Sequence, residues 1–195
     1  MTHGTLRETE LWLVRHGHTA DNARGRYPDG DPGLSPEGYR QARALRALRS
    51  FDFERVLSSP AARSLETARH AGFTPAPADT LREADFGVMA GLSWSELEGR
   101  HGDLPRRWIE GLLDPRGDQG PPGGESGRSF HARVAHLLAL EGRTLAFTHA
   151  GPIRALLRLT LDLSAVDLAP GSLTVLRRMG DTWGLSKLNL VPGEL

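Results

Sequence analysis

The chain predicts an α/β fold, a three-layer sandwich around a mainly parallel central sheet, as a single domain over 1–195. Three observations carry this. Short apolar runs near 10–14, 53–57 and 143–148 read as buried strands, and each is followed by a segment with helical punctuation or period. The runs end in polar, chemically capable residues where helices begin, the end at which open α/β sheets collect ligands. A chain of 195 residues is long enough to close one substantial core.

In chain order, Leu11-Trp12-Leu13-Val14 anchors the first strand, about Glu10–Val14, which opens into a polar, glycine-rich loop through Gly33. Ser35 as N-cap and Pro36 in the first turn start a helix that carries Tyr39, Ala42, Leu45 and Leu48 on one face and ends near Ser50. Phe53–Leu57 is the second strand. Pro60 opens the next helix, which runs through Ala71 and is closed by Gly72. Leu81–Gly87 reads as a strand end or loop, Ser93–Arg100 and Leu104–Leu112 as short helices, and the Gly- and Pro-rich Asp114–Gly127 as a loop. Residues 87–125 therefore form an irregular insertion on the substrate side. In Ser126–Leu140, the residues Phe130, Val134, Leu137 and Leu138 share a helical face. Arg143–Thr148 is a strand, Pro152–Leu161 a helix, and Leu173–Arg178 with Trp183–Leu188 around Gly180-Asp181 a hairpin.

Lys plus Arg and Asp plus Glu both number 24, so no global field steers the chain toward nucleic acid or an anionic membrane. Any preference for anions must be local. The absence of cysteine excludes disulfides, thiolate metal sites and cysteine nucleophiles. Met1–Glu10 is polar, without an apolar signal core, and no stretch approaches membrane-spanning length, so the expectation is a cytoplasmic protein. The C-terminal hairpin offers a sheet edge that could extend across a homodimer.

Three strand-to-helix junctions carry the chemistry. Arg15-His16-Gly17-His18-Thr19 follows the first strand. An arginine fork clamps an oxyanion, a neutral imidazole supplies a lone pair to phosphorus, and a residue without Cβ admits close approach to a bound group. Ser58-Ser59-Pro60-Ala61-Ala62-Arg63 sets Arg63 on the first turn of its helix, and Thr148-His149-Ala150-Gly151-Pro152 offers backbone N–H groups to an anion. Converging there, two arginines and two histidines make a positive pocket in a neutral protein, and repulsion between like charges keeps His16 neutral near pH 7. The leaving oxygen needs a proton donor; Glu83 is the candidate and Asp85 the second.

Plainer readings cover the other residues. A metal pair at His16-x-His18 lacks further ligands at suitable spacing. Arg40, Arg43, Arg46 and Arg49 read as a solvated helix flank, and His131, His136, His3, His70 and His101 as solvated. Arg106-Arg107 either grips a substrate carboxylate or second phosphate or is a surface pair. Trp94 and Trp108 either line the pocket mouth or pack the short helices.

Taken together, the motifs resemble the histidine phosphatase superfamily, in its phosphoglycerate-mutase-like branch. The resemblance rests on Arg15-His16-Gly17 with Thr19 and Asn22, Ser58-Ser59-Pro60 with Arg63 and Thr67-Ala68, Leu81-Arg82-Glu83 with Phe86-Gly87, Pro122-Gly123-Gly124-Glu125-Ser126, and Thr148-His149-Ala150-Gly151-Pro152-Ile153-Arg154. These appear in the family's order from about Leu11 to Leu161. The resemblance implies that His16 is phosphorylated during turnover, that Arg15, Arg63 and His149 bind the phosphoryl group, and that Asn22 lines the same pocket. It implies that Glu83 is the general acid and then the base that activates water, and that no metal or cofactor is needed. Thr19, Ala150 and Gly151 join the binding set.

Two departures stand out: the family often has glycine where Ala150 stands, and Met89-Ala90 replaces an aromatic and an acid before Gly91. The implied activity is hydrolysis of a small phosphomonoester. A cofactor-dependent phosphoglycerate mutase and a non-catalytic phosphate-binding member are the alternatives. The mutase pattern after the acidic residue resembles Arg-His-Tyr-Gly followed by a long shielding insertion. Here Asp85-Phe86-Gly87 replaces it, and only residues 92–121 lie between Gly91 and Pro122. Water would therefore reach the intermediate.

Overall fold

The structure, a computed structural model, describes residues 8–191; His3 and residues 1–7 of the Met1–Glu10 segment lie outside them. β1 (Thr9–Arg15) pairs in parallel with β4 (Arg143–Thr148), and β4 with β2 (Arg55–Ser58). On the other flank β1 pairs antiparallel with β5 (Leu173–Met179), which forms the expected hairpin with β6 (Thr182–Leu190). A two-residue strand that the sequence reading did not contain, β3 (Ala76–Pro77), closes the far edge, giving the order β3-β2-β4-β1-β5-β6. The sheet is thus parallel except for its C-terminal hairpin.

β1 explains the layering. Leu11 and Leu13 turn to one face, Trp12 and Val14 to the other, the period-two alternation of a strand covered on both sides. On the first face they meet Phe130 and Val134 of α6 (Gly127–Ala135) and Ile153, Leu156 and Leu157 of α7 (Ala150–Leu161). On the second, Trp12 and Val14 join Leu145 and Phe147 of β4 with Leu45, Leu48 and Ala68. Those residues come from the segment after α2 (Pro36–Ala44) and from α3 (Ala62–His70). Two apolar clusters separated by one sheet make the three layers.

Several expectations need correction. The loop drawn through Gly33 contains a helix, α1 (Ala20–Arg24), started by a reciprocal Thr19–Asn22 capping box. The helix expected to reach Ser50 is α-helical only to Ala44 and then tightens into a 3-10 turn, Leu45–Ser50, in which side chains three apart eclipse and both Leu45 and Leu48 reach the core. Similarly α6 passes into a 3-10 turn, His136–Ala139. α3 begins at Ala62, not Pro60, because Asp31, from a distant loop, accepts the Ala62 N–H at 2.8 Å where the helix's own N-cap, Ala61, has no polar side chain. α7 begins at Ala150, with His149 at its N-cap. His131, expected on the solvated side of α6, is buried, its Nδ1 donating to the Gly127 carbonyl one turn back (2.8 Å), so its polar edge is satisfied inside.

The substrate-side segment carries α4 (Trp94–His101), started by a Ser93–Glu96 capping box, and α5 (Leu104–Leu113). Arg26 grips Glu96 through both guanidinium nitrogens (2.8 and 2.9 Å), fastening α4 to the loop after α1. Among the described residues no helix is long and apolar enough to cross a membrane.

Candidate active site

Arg15 and His16 leave the C-terminal end of β1, and Thr148 and His149 leave the adjoining end of β4, because the parallel register sets Arg15 beside Thr148. The His16 N–H bonds the Thr148 carbonyl at 2.9 Å, locking the two junctions together. Arg63 arrives on the first turn of α3 after β2, the third neighbouring strand.

Gly17 is required by packing. A Cβ there would lie 2.7 Å from the Gly38 carbonyl of α2, and one on Gly38 would lie 2.3 Å from the His18 carbonyl. The close approach that the structure shows at Gly17 is that of a helix backbone. Its N–H donates to Thr67 Oγ1 (3.0 Å), which in turn donates to the Arg63 carbonyl (2.6 Å), so the His16 and Arg63 loops share one network.

The imidazole of His16 is buried, and its Nδ1 lies 2.7 Å from the Gly17 carbonyl. A carbonyl only accepts, so Nδ1 carries the proton and Nε2 keeps its lone pair. Burial pushes the ring's pKa down to about 3, and the nearby guanidinium of Arg63 and then Arg15 push the same way. The expectation of a neutral His16 agrees in direction, with dehydration ahead of charge repulsion as the cause.

The His149 ring stands edge-on to that of His16 with centroids 5.1 Å apart. His149 Nε2 lies 2.9 Å from Ser59 Oγ, which also accepts the Ala61 N–H, and among the described residues its buried Nδ1 has no hydrogen-bond partner. Burial, then His16 and Arg63, hold His149 well below the usual histidine range.

Arg63 is buried, with Asp31 3.7 Å away; Arg15 is half-buried and bonds the Leu168 carbonyl. Burial lowers both pKa values, with Glu83 acting in the opposite sense, and both guanidiniums stay charged.

Glu83 is half-buried and lines the same pocket. Its carboxylate accepts the Ala84 N–H (3.0 Å) and the Gly151 N–H (3.3 Å), yet burial outweighs these bonds and both arginines and raises its pKa. The Gly151 N–H at the α7 start is thus engaged by Glu83. Asp85, by contrast, is exposed and caps a turn by accepting the Gly87 N–H (2.9 Å).

Arg15, His16, Thr19, Asn22, Arg63 and Glu83 line one cavity of about 360 Å³, joined by Arg26, Tyr27, Trp94 and Arg154. Thr19 and Asn22 reach it while bonding to each other in the capping box. His149, Ala150 and Gly151 do not line it; His149 lines an adjoining hollow that shares Arg63 and Glu83 with it, and Gly151 lines another. Arg106 and Arg107 are exposed on α5 and do not line it either. Trp94 does; Trp108 packs on His101 at 5.2 Å.

Arg154 and Arg133 are among the residues to which the sequence assigned no role. Arg154 stood in the quoted motif and proves to line the cavity. Arg133 of α6 donates to the carbonyls of Asp79, Thr80, Arg82 and Glu83 (3.0–3.4 Å) and pairs with Glu125 at 2.7 Å, so it fixes the backbone that carries Glu83. The only signal for it was Glu125 within the Gly-Gly-Glu-Ser run. Among the described residues no group of three or more acidic or histidine side chains forms a metal cluster.

The family model for the histidine phosphatase superfamily, branch 1, matches residues 11–191. The chain belongs to that superfamily. Among other members, a Mycobacterium tuberculosis protein named as bifunctional is 36% identical over 79% of this chain, which spans 44% of that relative's length. A 2,3-bisphosphoglycerate-dependent phosphoglycerate mutase of Rhizobium etli is 31% identical over 95% of this chain and 98% of its own. The crystal structure of a phosphoglycerate mutase from Thermus thermophilus superposes on this histidine phosphatase relative with a TM-score of 0.72 at 36% identity, covering 92% of this chain and 97% of the mutase.

Proposed function

We propose that the protein is a metal-independent phosphatase that hydrolyses a small phosphomonoester through a phosphohistidine on His16. The observation that carries this reading is a buried imidazole, its tautomer fixed with the Nε2 lone pair available, in one cavity with two guanidiniums and a carboxyl of raised pKa. Arg15, Arg63 and His149 hold the phosphoryl oxygens, with Asn22 and Thr19 at the pocket wall, and they supply the charge stabilisation that phosphoryl transfer demands. Nε2 of His16 forms a bond to phosphorus as the ester P–O bond breaks, and protonated Glu83 gives its proton to the leaving oxygen. Glu83, now a carboxylate, takes a proton from water. The hydroxide so formed attacks phosphorus, and the P–N bond breaks to free phosphate and His16. Glu83 fits the acid role better than Asp85, which is exposed and committed to a turn.

A mutase is the second reading, favoured by the names of the Rhizobium and Thermus relatives. Phosphate release from a panel of small phosphomonoesters, 3-phosphoglycerate included, in excess EDTA with His16→Ala alongside, separates the readings. Release that survives EDTA and is lost in the variant is expected. Interconversion of phosphoglycerates without net release establishes the mutase, and phosphate binding without either reaction establishes a binder. We also propose a homodimer through edge strand β6, where Leu185 and Leu188 are exposed; sedimentation as a monomer at high concentration overturns it.

A further inference from the structure

Beside the phosphate cavity lies a second one, of about 450 Å³, and the two share Tyr27, Glu83, Phe86 and Arg154. The walls of the second differ in kind. Ile109, Leu112 and Leu113 come from α5, Phe130 from α6 and Val166 from the segment before β5. Leu113 is 41% exposed and Ile109 half-buried, an apolar surface left open to a bound group. The charged group it does not share with the first is the carboxylate of Asp167, which disfavours an anionic occupant beside it. The rings of Tyr27 and Phe86, which line both cavities, meet at a tilt of 58° with centroids 4.8 Å apart, and Arg154 is anchored by its Nε–H to the Val166 carbonyl (2.8 Å).

We infer that this second cavity receives the leaving group, and that the substrate is the phosphomonoester of an apolar, ring-bearing alcohol. The inference rests on the phosphatase reading above and deepens it. Its geometric ground is Glu83, among the described residues the one carboxyl shared by both cavities. A substrate with its phosphoryl group at His16 and its organic part against α5 passes its ester oxygen by Glu83, where the proton is needed. The size suits a ring; a glycerol-sized group leaves the apolar wall wet. The segment between Gly91 and the Pro122-Gly123-Gly124 loop thereby gains a function, since α5 supplies three of the apolar contacts.

The test compares 2-phenylethyl phosphate with ethyl phosphate and glycerol 1-phosphate. All three release unactivated aliphatic alcohols that need a proton from Glu83 to depart, so a difference reports the cavity and not leaving ability. Phosphate release gives kcat/KM for each, and calorimetry gives the affinity of each ester for His16→Ala. The ring-bearing ester is expected to lead by at least about tenfold in kcat/KM, the scale of filling an apolar pocket. That ratio is expected to fall about tenfold in Leu113→Asp, which places a charge on a wall already open to water, and to fall likewise in Ile109→Asp. Equal kcat/KM for the three esters, or a ratio unmoved by both substitutions, overturns the inference while leaving the phosphatase reading in place. Release from none of them, with 2-phenylethyl phosphate still bound at least about tenfold more tightly than ethyl phosphate, overturns the phosphatase reading and supports the apolar subsite. Equal binding with no release overturns both.

Discussion

Gly151→Ala isolates the placement of Glu83 from the rest of the pocket. Gly151 lies in the first turn of α7, and a Cβ built there falls 1.9 Å from Glu83 Oε1, where real Cβ atoms essentially never come within 3.0 Å. The next atoms are Cδ of the same carboxyl at 3.0 Å and Phe130 Cζ at 3.3 Å, the latter merely tight. The colliding oxygen is the end of a flexible side chain, so the carboxyl swings away and the helix stays. Alanine's helix preference, worth about 1 kcal/mol over glycine, offsets the lost N–H bond of similar size, and the melting temperature moves by no more than about 2–4 °C. Catalysis responds differently. A positioned general acid contributes roughly 10²–10⁴-fold, so kcat/KM for an alkyl phosphate is expected to fall roughly 10²–10³-fold. With p-nitrophenyl phosphate, whose leaving group departs without a proton, kcat/KM covers only steps through that departure and is expected to fall by less than about tenfold. Equal losses for the two esters would refute the assignment of Glu83 as the acid, and unchanged alkyl turnover would refute the steric argument.

Three further outcomes follow from the same geometry. The acid form of Glu83 persists above the usual carboxylate range, so kcat/KM for alkyl esters is level at low pH and declines as pH rises through that raised pKa; Glu83→Gln should lack this limb, which separates it from ionisation of the substrate. His16, held to about 3, is already the free base across that range and sets no limb there. Arg133→Met removes the donors that hold the carbonyls of 79–83, and stopped-flow and steady-state assays should give kcat lowered about tenfold with phosphate inhibition unchanged, whereas a weaker phosphate affinity would place its effect elsewhere. Buried Glu10 accepts from Trp12, Arg177 and Arg143, and these bonds hold its pKa below the usual carboxylate value against the opposing effect of burial. Urea titrations of Glu10→Gln should lose about 1–2 kcal/mol above pH 5, discounted because both arginines are partly exposed, and the difference should vanish as pH falls through the lowered pKa.

The sequence by itself determined the layers and the polar residues that end the strands. Alternating burial in Leu11-Trp12-Leu13-Val14 is local physics, and so is the Ser35-Pro36 helix start, because each depends on neighbours within a turn or a strand. The order of the motifs sufficed to nominate His16, Arg15, Arg63, His149 and Glu83. Only the tertiary structure decided how they act on one another. The parallel register of β1 with β4 brings His16 to His149, and the caps on α3 and Glu83 come from Asp31 and Gly151, far away in the chain. His131 was misjudged because its bond to a carbonyl one turn back makes burial tolerable, which no hydrophobic period reveals. Arg133 and the apolar wall of α5 were invisible for a related reason: a residue's chemical meaning there is set by what packs against it across the fold, and linear spacing carries no record of that contact.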